Sequence, residues 1–117
     1  MQMTIHTQGF PMSSAVYRRA REQFGRALNS FRDSIVDVDV FLKDVNGPKG
    51  GDDKAVLVRV NLTTQKSVAI ETVNSNLHAA LILSARRAKR AVKRGIAKHR
   101  RVERQEVRDW RQAGANA

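Results

Sequence analysis

Residues 77–101 carry the most regular pattern of apolar and polar positions in the chain. On a helix of 3.6 residues per turn, the apolar residues fall on one arc. They are Leu77, Ala80, Leu81, Ala85, Ala88, Ala91, Val92 and Ile96. The opposite arc is basic, and its members are Arg86, Arg87, Lys89, Arg90, Lys93, Arg94, Arg100 and Arg101, with Lys98 near the edge. The spacing predicts a long helix that packs one face on a core and presents the other as a basic surface.

A second helical pattern precedes it, between two stretches of alternating residues. Residues 1–7 alternate weakly, which predicts a short first strand. Ser13 or Ser14 can then cap a helix that runs to about Ser30. We expect its apolar stripe, both phenylalanine rings included, to be buried. The stripe consists of Val16, Ala20, Phe24, Ala27, Leu28 and Phe31.

From Ile35 the period changes to two, which is typical of strands. In the second strand an inner row of Val36, Val38, Val40 and Leu42 alternates with an outer row of Asp37, Asp39, Phe41 and Lys43. A third strand has its inner row at Val56, Val58, Val60 and Leu62, and a fourth is marked by Val68 and Ile70. The glycine-rich residues 44–54 predict a loop, and Asn74 or Ser75 can cap the basic helix.

The predicted order is therefore β-α-β-β-β-α, an α+β fold. The first two strands flank a helix and can pair in parallel by a right-handed crossover. The last three should form an antiparallel meander, which gives a four-stranded mixed sheet with two helices on one face and a polar outer face. The 117 residues suit one domain. We place an RNA-binding domain at 1–101 and a basic, flexible tail at 102–117. Residues 102–112, with Trp110, either extend the helix or fray.

The net charge of +11 is concentrated at one end of the chain. Residues 1–71 hold 10 basic and 8 acidic residues, or +2, whereas residues 72–117 hold 12 and 3, or +9. No acidic residue lies between Glu71 and Glu103. Like-charged pairs four residues apart, such as Arg90 and Arg94, together cost this helix about 1–2 kcal/mol. This uncompensated repulsion favours a polyanion partner, with phosphate first, over a solvated helix face.

Other kinds of chemistry find little support in the sequence. The chain has no cysteine, and its three histidines lack metal-ligand spacing, so we expect neither a metal nor a cofactor. No nucleophile is paired with a base, and the glycine-rich segment is not a phosphate loop, so we expect no enzyme and no small-molecule substrate. Without an apolar leader or membrane-length run, we expect a cytoplasmic protein that does not bind membranes.

The order of elements and the basic helix together resemble the ribosome hibernation-promoting and ribosome-associated inhibitor proteins, also called sigma-factor modulation proteins, in their short form. The resemblance covers residues 1–101. It rests on the opening Met1-Gln2-Met3-Thr4-Ile5, the alternation of Asp and Val in the second strand, the helix start Asn76-Leu77-His78-Ala79-Ala80-Leu81, and the basic positions Arg87, Arg90, Lys93 and Arg94. The chain departs from the family at His78, often aromatic there, and at Ile82, Arg86 and Lys89, often acidic there.

The resemblance implies that the second helix lies on small-subunit ribosomal RNA near the decoding region and blocks messenger and transfer RNA. It also implies roles in ribosome hibernation, translation regulation and the stress response. The expected RNA-binding residues are Arg86, Arg87, Lys89, Arg90, Lys93, Arg94, Lys98, Arg100 and Arg101. The alternative is a regulatory module that binds an acidic protein surface through the same helix, which an exposed Ile82 or Leu83 would favour. We expect a monomer when the protein is free.

Overall fold

The computed structural model describes residues 1–9, 11–45 and 53–115, with side chains up to Arg108. It confirms the predicted order of elements and the α+β fold. The elements are β1 (Gln2–Gln8), α1 (Ser14–Leu28), a 3-10 helix (Asn29–Ser34), β2 (Ile35–Asp44), β3 (Lys54–Leu62), β4 (Ser67–Asn74) and α2 (Leu77–Ala115). The strands form one sheet in the order β1-β2-β3-β4. β1 is parallel to β2, and the other neighbours are antiparallel, as predicted.

The core lies between the sheet and the two helices. The inner rows of β2 and β3 face α1 and α2 because strand side chains alternate between the two faces. Phe24 and Leu28 of α1 and Val92 of α2 are fully buried there. The small residues of α2, such as Ala80 and Ala88, are also fully buried, so the helix backbone can approach the sheet closely. The apolar arc predicted for α2 is therefore the buried one.

The inner row of β2 begins differently from the prediction. Val36 is 53% exposed, whereas Ile35 is buried. The register with β3 shifts between Ile35 and Asp37, and such a bulge places two residues of one strand opposite one of its partner. This extra residue reverses the alternation, so the prediction for Val36 was wrong by one position. Val38 and the following residues regain the predicted phase.

The outer face of the sheet is less polar than the alternation suggested. His6 and Phe41 are direct neighbours across β1 and β2. Their rings stack with centroids 4.7 Å apart and an interplanar angle of 12°. Leu57 lies opposite Phe41 on β3, and both are half-buried. The outer face therefore holds a short apolar row between polar ones.

Side-chain caps fix where both helices begin. Ser13 caps α1, since its hydroxyl accepts a hydrogen bond of 3.1 Å from the Val16 amide. The cap of α2 is Asn76, whose Oδ1 accepts from the Ala79 amide at 3.1 Å. The sequence predicted this cap at Asn74 or Ser75, which lie two residues and one residue before Asn76. Asn74 instead accepts a hydrogen bond from the Asn76 amide at 2.9 Å, which orders the turn before the helix.

Helix α2 extends well beyond the sheet. Its 39 residues span about 58 Å at 1.5 Å per residue, whereas the longest strand has 10 residues and spans about 33 Å. Residues 102–112 thus continue the helix, one of the two outcomes that the sequence left open. Every described side chain from Arg100 to Arg108 is exposed. The Trp110 side chain, and residues 46–52 of the predicted loop, lie outside the described part.

Candidate nucleic-acid interface

The nine basic residues predicted as a binding surface all lie exposed on α2, opposite its buried arc. We call this surface the basic face. It consists of Arg86, Arg87, Lys89, Arg90, Lys93, Arg94, Lys98, Arg100 and Arg101. Ala88 and Val92, on the other side of the helix, have no exposed surface. Because the helix is anchored on the core through this buried arc, the backbone positions that carry most of these cations are fixed relative to the sheet.

The charges of the basic face have no ion-pair partner among the side chains that the structure describes. Among the described side chains the ion pairs are Lys54 with Asp44 and His99 with Glu103, and neither includes a residue of the basic face. Arginine and lysine side chains without carboxylate partners keep their donors available for phosphate oxygens. The face can therefore bind a polyanion without first breaking internal ion pairs.

Arg87 differs from the other members of the basic face. Its Nη1 donates to the carbonyl oxygen of Glu71 and, at 2.8 Å, to the hydroxyl of Thr72. Both acceptors belong to β4, an edge strand of the sheet. Arg87 therefore joins α2 to the sheet edge, and its remaining guanidinium donors are those left for a ligand.

The basic face continues further along α2 than the sequence analysis placed it. Arg104 and Arg108 follow Arg100 at intervals of four residues and are exposed. Residues four apart on a helix are surface neighbours, so these two arginines prolong the same row. The spacing of four residues is visible in the sequence, but the weak apolar periodicity of residues 102–117 predicts a tail and hides the continuation.

Helix α1 also contributes to this side of the molecule. A groove of about 320 Å³ between α1 and α2 is lined by Arg26 together with Arg86 and Lys89. Ile82 lies in the same groove and is half-buried beside Ala27 of α1. Leu83 is 40% exposed. Of the two apolar residues that interrupt the basic arc, Ile82 thus lines a groove beside α1 and is partly covered, whereas Leu83 is a surface residue.

The site offers cations and hydrogen-bond donors. Within the described residues no group of histidine and acidic side chains could hold a metal ion. No described helix is long and apolar enough to cross a membrane. The chemistry that the arrangement supports is neutralisation of phosphates along the exposed side of α2.

The chain thus has a fold in which a four-stranded mixed sheet carries two helices on one face, the second of them long and basic. Two solved structures share this fold. One is the N-terminal domain of Protein Y from Thermus thermophilus, with a TM-score of 0.67 and 19% identity, covering 80% of this chain and 98% of that one. The other is a ribosomal subunit interface protein from Coxiella burnetii, with a TM-score of 0.70 and 16% identity, covering 83% and 99%.

No protein-family model and no curated protein matches the chain. The fold implied by the sequence resemblance is nevertheless confirmed, since both neighbours are matched over almost their whole length.

Proposed function

We propose that this protein binds the ribosome and suppresses translation, or stores idle ribosomes, by occupying the decoding region of the small subunit. The basic face of α2 would lie on ribosomal RNA and neutralise its phosphates. The observation that carries the proposal is this row of exposed cations with no ion-pair partner among the described residues. The fold supports it, because one neighbour is named as a ribosomal subunit interface protein. A ribosome-bound protein would act in the cytoplasm.

The mechanism is occupancy without chemistry. The sheet holds α2 through its buried alanines and Val92, so the helix backbone that carries the cations need not be ordered on binding. Arginine predominates in the face, and its planar guanidinium bonds phosphate in a bidentate manner. Each neutralised phosphate releases counterions, so affinity should fall steeply as salt is raised.

A second candidate uses the same helix to bind an acidic protein surface. The exposed Leu83 within the basic face favours it, because an apolar side chain among cations suits a protein partner better than phosphate. Ribosomes treated with nuclease distinguish the two. Binding to RNA requires intact RNA, whereas binding to a ribosomal protein should persist after the RNA has been cleaved.

Co-sedimentation with ribosomes tests the proposal. The wild-type protein should pellet with ribosomes at low salt and stay in the supernatant at high salt. The variant R90E/R94E should stay in the supernatant at both salt concentrations. Its melting temperature should hold or rise slightly, since the pairs of residues 90 and 94 with Arg86 and Lys98 become opposite-charge pairs. The control K43E/R59E changes the net charge equally, but its residues are exposed on the outer face of the sheet, so it should pellet normally.

Normal pelleting of R90E/R94E would identify the basic face as a solvated surface and contradict the proposal. Unfolding of that variant would show that Arg90 or Arg94 is needed for packing, contrary to their exposure.

A further inference from the structure

A second groove lies at one side of the basic face, where α2 passes the 3-10 helix. Its volume is about 320 Å³, at the lower end of the range of small-ligand sites. Six residues determine its chemistry: Phe31, Asp33, Ser34, Lys93, Ile96 and Arg100. Lys93 and Arg100 are members of the basic face. The groove therefore joins an aromatic ring, a carboxylate and a hydroxyl to cations already proposed to bind phosphate.

Phe31 is less buried than the sequence predicted. It was expected to be buried like Phe24, but it is only half-buried and lines the groove. Part of its side chain packs against the core cluster, so the ring is held in place. The helical stripe of α1 ends at Leu28, and the tighter 3-10 helix that follows turns Phe31 away from the position that a continued α-helix would give it.

The wall formed by the 3-10 helix is fixed by backbone hydrogen bonds. The Ile35 amide donates to the Arg32 carbonyl. The Thr63 amide, in the turn after β3, donates to the Ser34 carbonyl at 2.9 Å. The segment is thus tied both to its own turn and to the sheet, so the groove is formed before any ligand arrives.

The Asp33 carboxylate is exposed and, within the described residues, has no ion-pair partner, although Lys93 and Arg100 line the same groove. It can therefore accept hydrogen bonds from a ligand. An acidic peptide would fit poorly, because its carboxylates would face that of Asp33. The groove therefore suits a ligand with two parts. An anionic part would bind the cations, and a flat part would stack on the Phe31 ring and donate N–H hydrogen bonds to the Asp33 carboxylate.

We propose that this groove binds one unpaired nucleotide of RNA and prefers guanine. The base stacks on Phe31, as unstacked bases commonly do on aromatic side chains. The N1–H and exocyclic N2–H of guanine lie on one edge and donate to the two oxygens of Asp33. Lys93 and Arg100 bind the adjacent phosphates. The inference rests on the proposed function, to which it adds a base-specific contact.

Binding of short RNAs tests the proposal by fluorescence anisotropy at low salt. The probes are heptamers of uridine whose central nucleotide is guanosine, inosine, adenosine or uridine. The wild-type protein should bind the guanosine heptamer about tenfold more tightly than the all-uridine one, as expected for a bidentate contact. Inosine lacks the exocyclic amine and should lose most of that preference. Equal affinity for all four, or no binding to any, would overturn the proposal.

Two variants locate the contact. D33N should abolish the preference for guanosine, whereas D39N, which changes the net charge equally on the outer face of the sheet, should keep it. F31L retains an apolar side chain against the core but cannot stack, so it should weaken binding of the guanosine heptamer severalfold. A guanosine preference that survives in D33N would overturn the assignment, even if F31L fails to fold.

The same assay separates this proposal from that of ribosome binding. R90E/R94E should bind all heptamers more weakly and keep their ranking. If the heptamers are not discriminated but wild-type protein still pellets with ribosomes and R90E/R94E does not, the base pocket is wrong and the proposed function stands.

Discussion

The guanidinium of Arg87 on α2 lies 2.8 Å from the hydroxyl of Thr72 on β4. The same Nη1 donates to the Glu71 carbonyl, so one side chain connects the basic helix to the edge of the sheet. Edge strands carry unpaired backbone groups that can recruit other chains. Arg87 donates a hydrogen bond to one of these carbonyls, that of Glu71. It also donates to the hydroxyl of Thr72, a residue that is only 7% exposed. A residue predicted to contact RNA thus also stabilises the fold.

This double role predicts that R87A destabilises the protein by about 1.5–3 kcal/mol, the usual contribution of hydrogen bonds to a charged group. The measurement is the free energy of unfolding from urea titration. R94A is the matched control, because Arg94 is exposed and has no ion-pair partner among the described side chains. The stability of R94A should stay within about 0.5 kcal/mol of wild type. Equal effects of the two variants would show that the connection to β4 contributes nothing measurable.

Ser84 offers a way to stabilise the protein. Its side chain is fully buried, and its hydroxyl has no hydrogen-bond partner among the residues that the structure describes. A buried polar group left unsatisfied costs about 1–3 kcal/mol, and alanine is also the better helix former. S84A should therefore raise the free energy of unfolding by about 1 kcal/mol. Thermal denaturation measures it, and a lower melting temperature would indicate that the hydroxyl bonds the helix backbone or an internal water.

Replacing either of two glycines within helices by alanine should stabilise the protein. A methyl group at Gly25 of α1 would meet no atom within 4 Å. At Gly95 of α2 it would lie 3.5 Å from Leu62 Cδ1 and 3.7 Å from Val68 Cγ2, which are ordinary contacts. G25A should gain about 0.5–1 kcal/mol from helix propensity alone. G95A should gain at least as much, since it adds apolar contact, and a loss would show that α2 packs more tightly there than these distances indicate.

The extension of α2 should serve binding more than folding. Residues 101–108 are exposed, so truncation after Arg101 should change the melting temperature by a few degrees at most. It removes three arginines together with three acidic residues, so the net charge of the chain stays the same but the row continued by Arg104 and Arg108 is lost, and the salt dependence of ribosome binding should become shallower. R104Q/R108Q in the full chain keeps the acidic residues and should reproduce the loss. A large fall in stability on truncation would instead place a core contact beyond Arg108.

The sequence by itself determined the order of elements, the pairing of strands and the phase of α2. These follow from local periodicity, because an apolar row must face the core wherever one face of an element is buried. The exposure of the nine cations follows from the same rule. The register shift at Val36 could not be read from the alternation, since a bulge depends on how β2 pairs with β3.

Only the tertiary structure showed which neighbours each cation of the basic face has. Lys93 and Arg100 share a groove with Phe31 only because the 3-10 helix, distant in sequence, packs beside α2. Arg87 is distinguished from Arg90 only by the strand edge within its reach. A helical pattern states which side of a helix is polar, but the identity of its neighbours depends on the packing of distant segments, which periodicity does not encode.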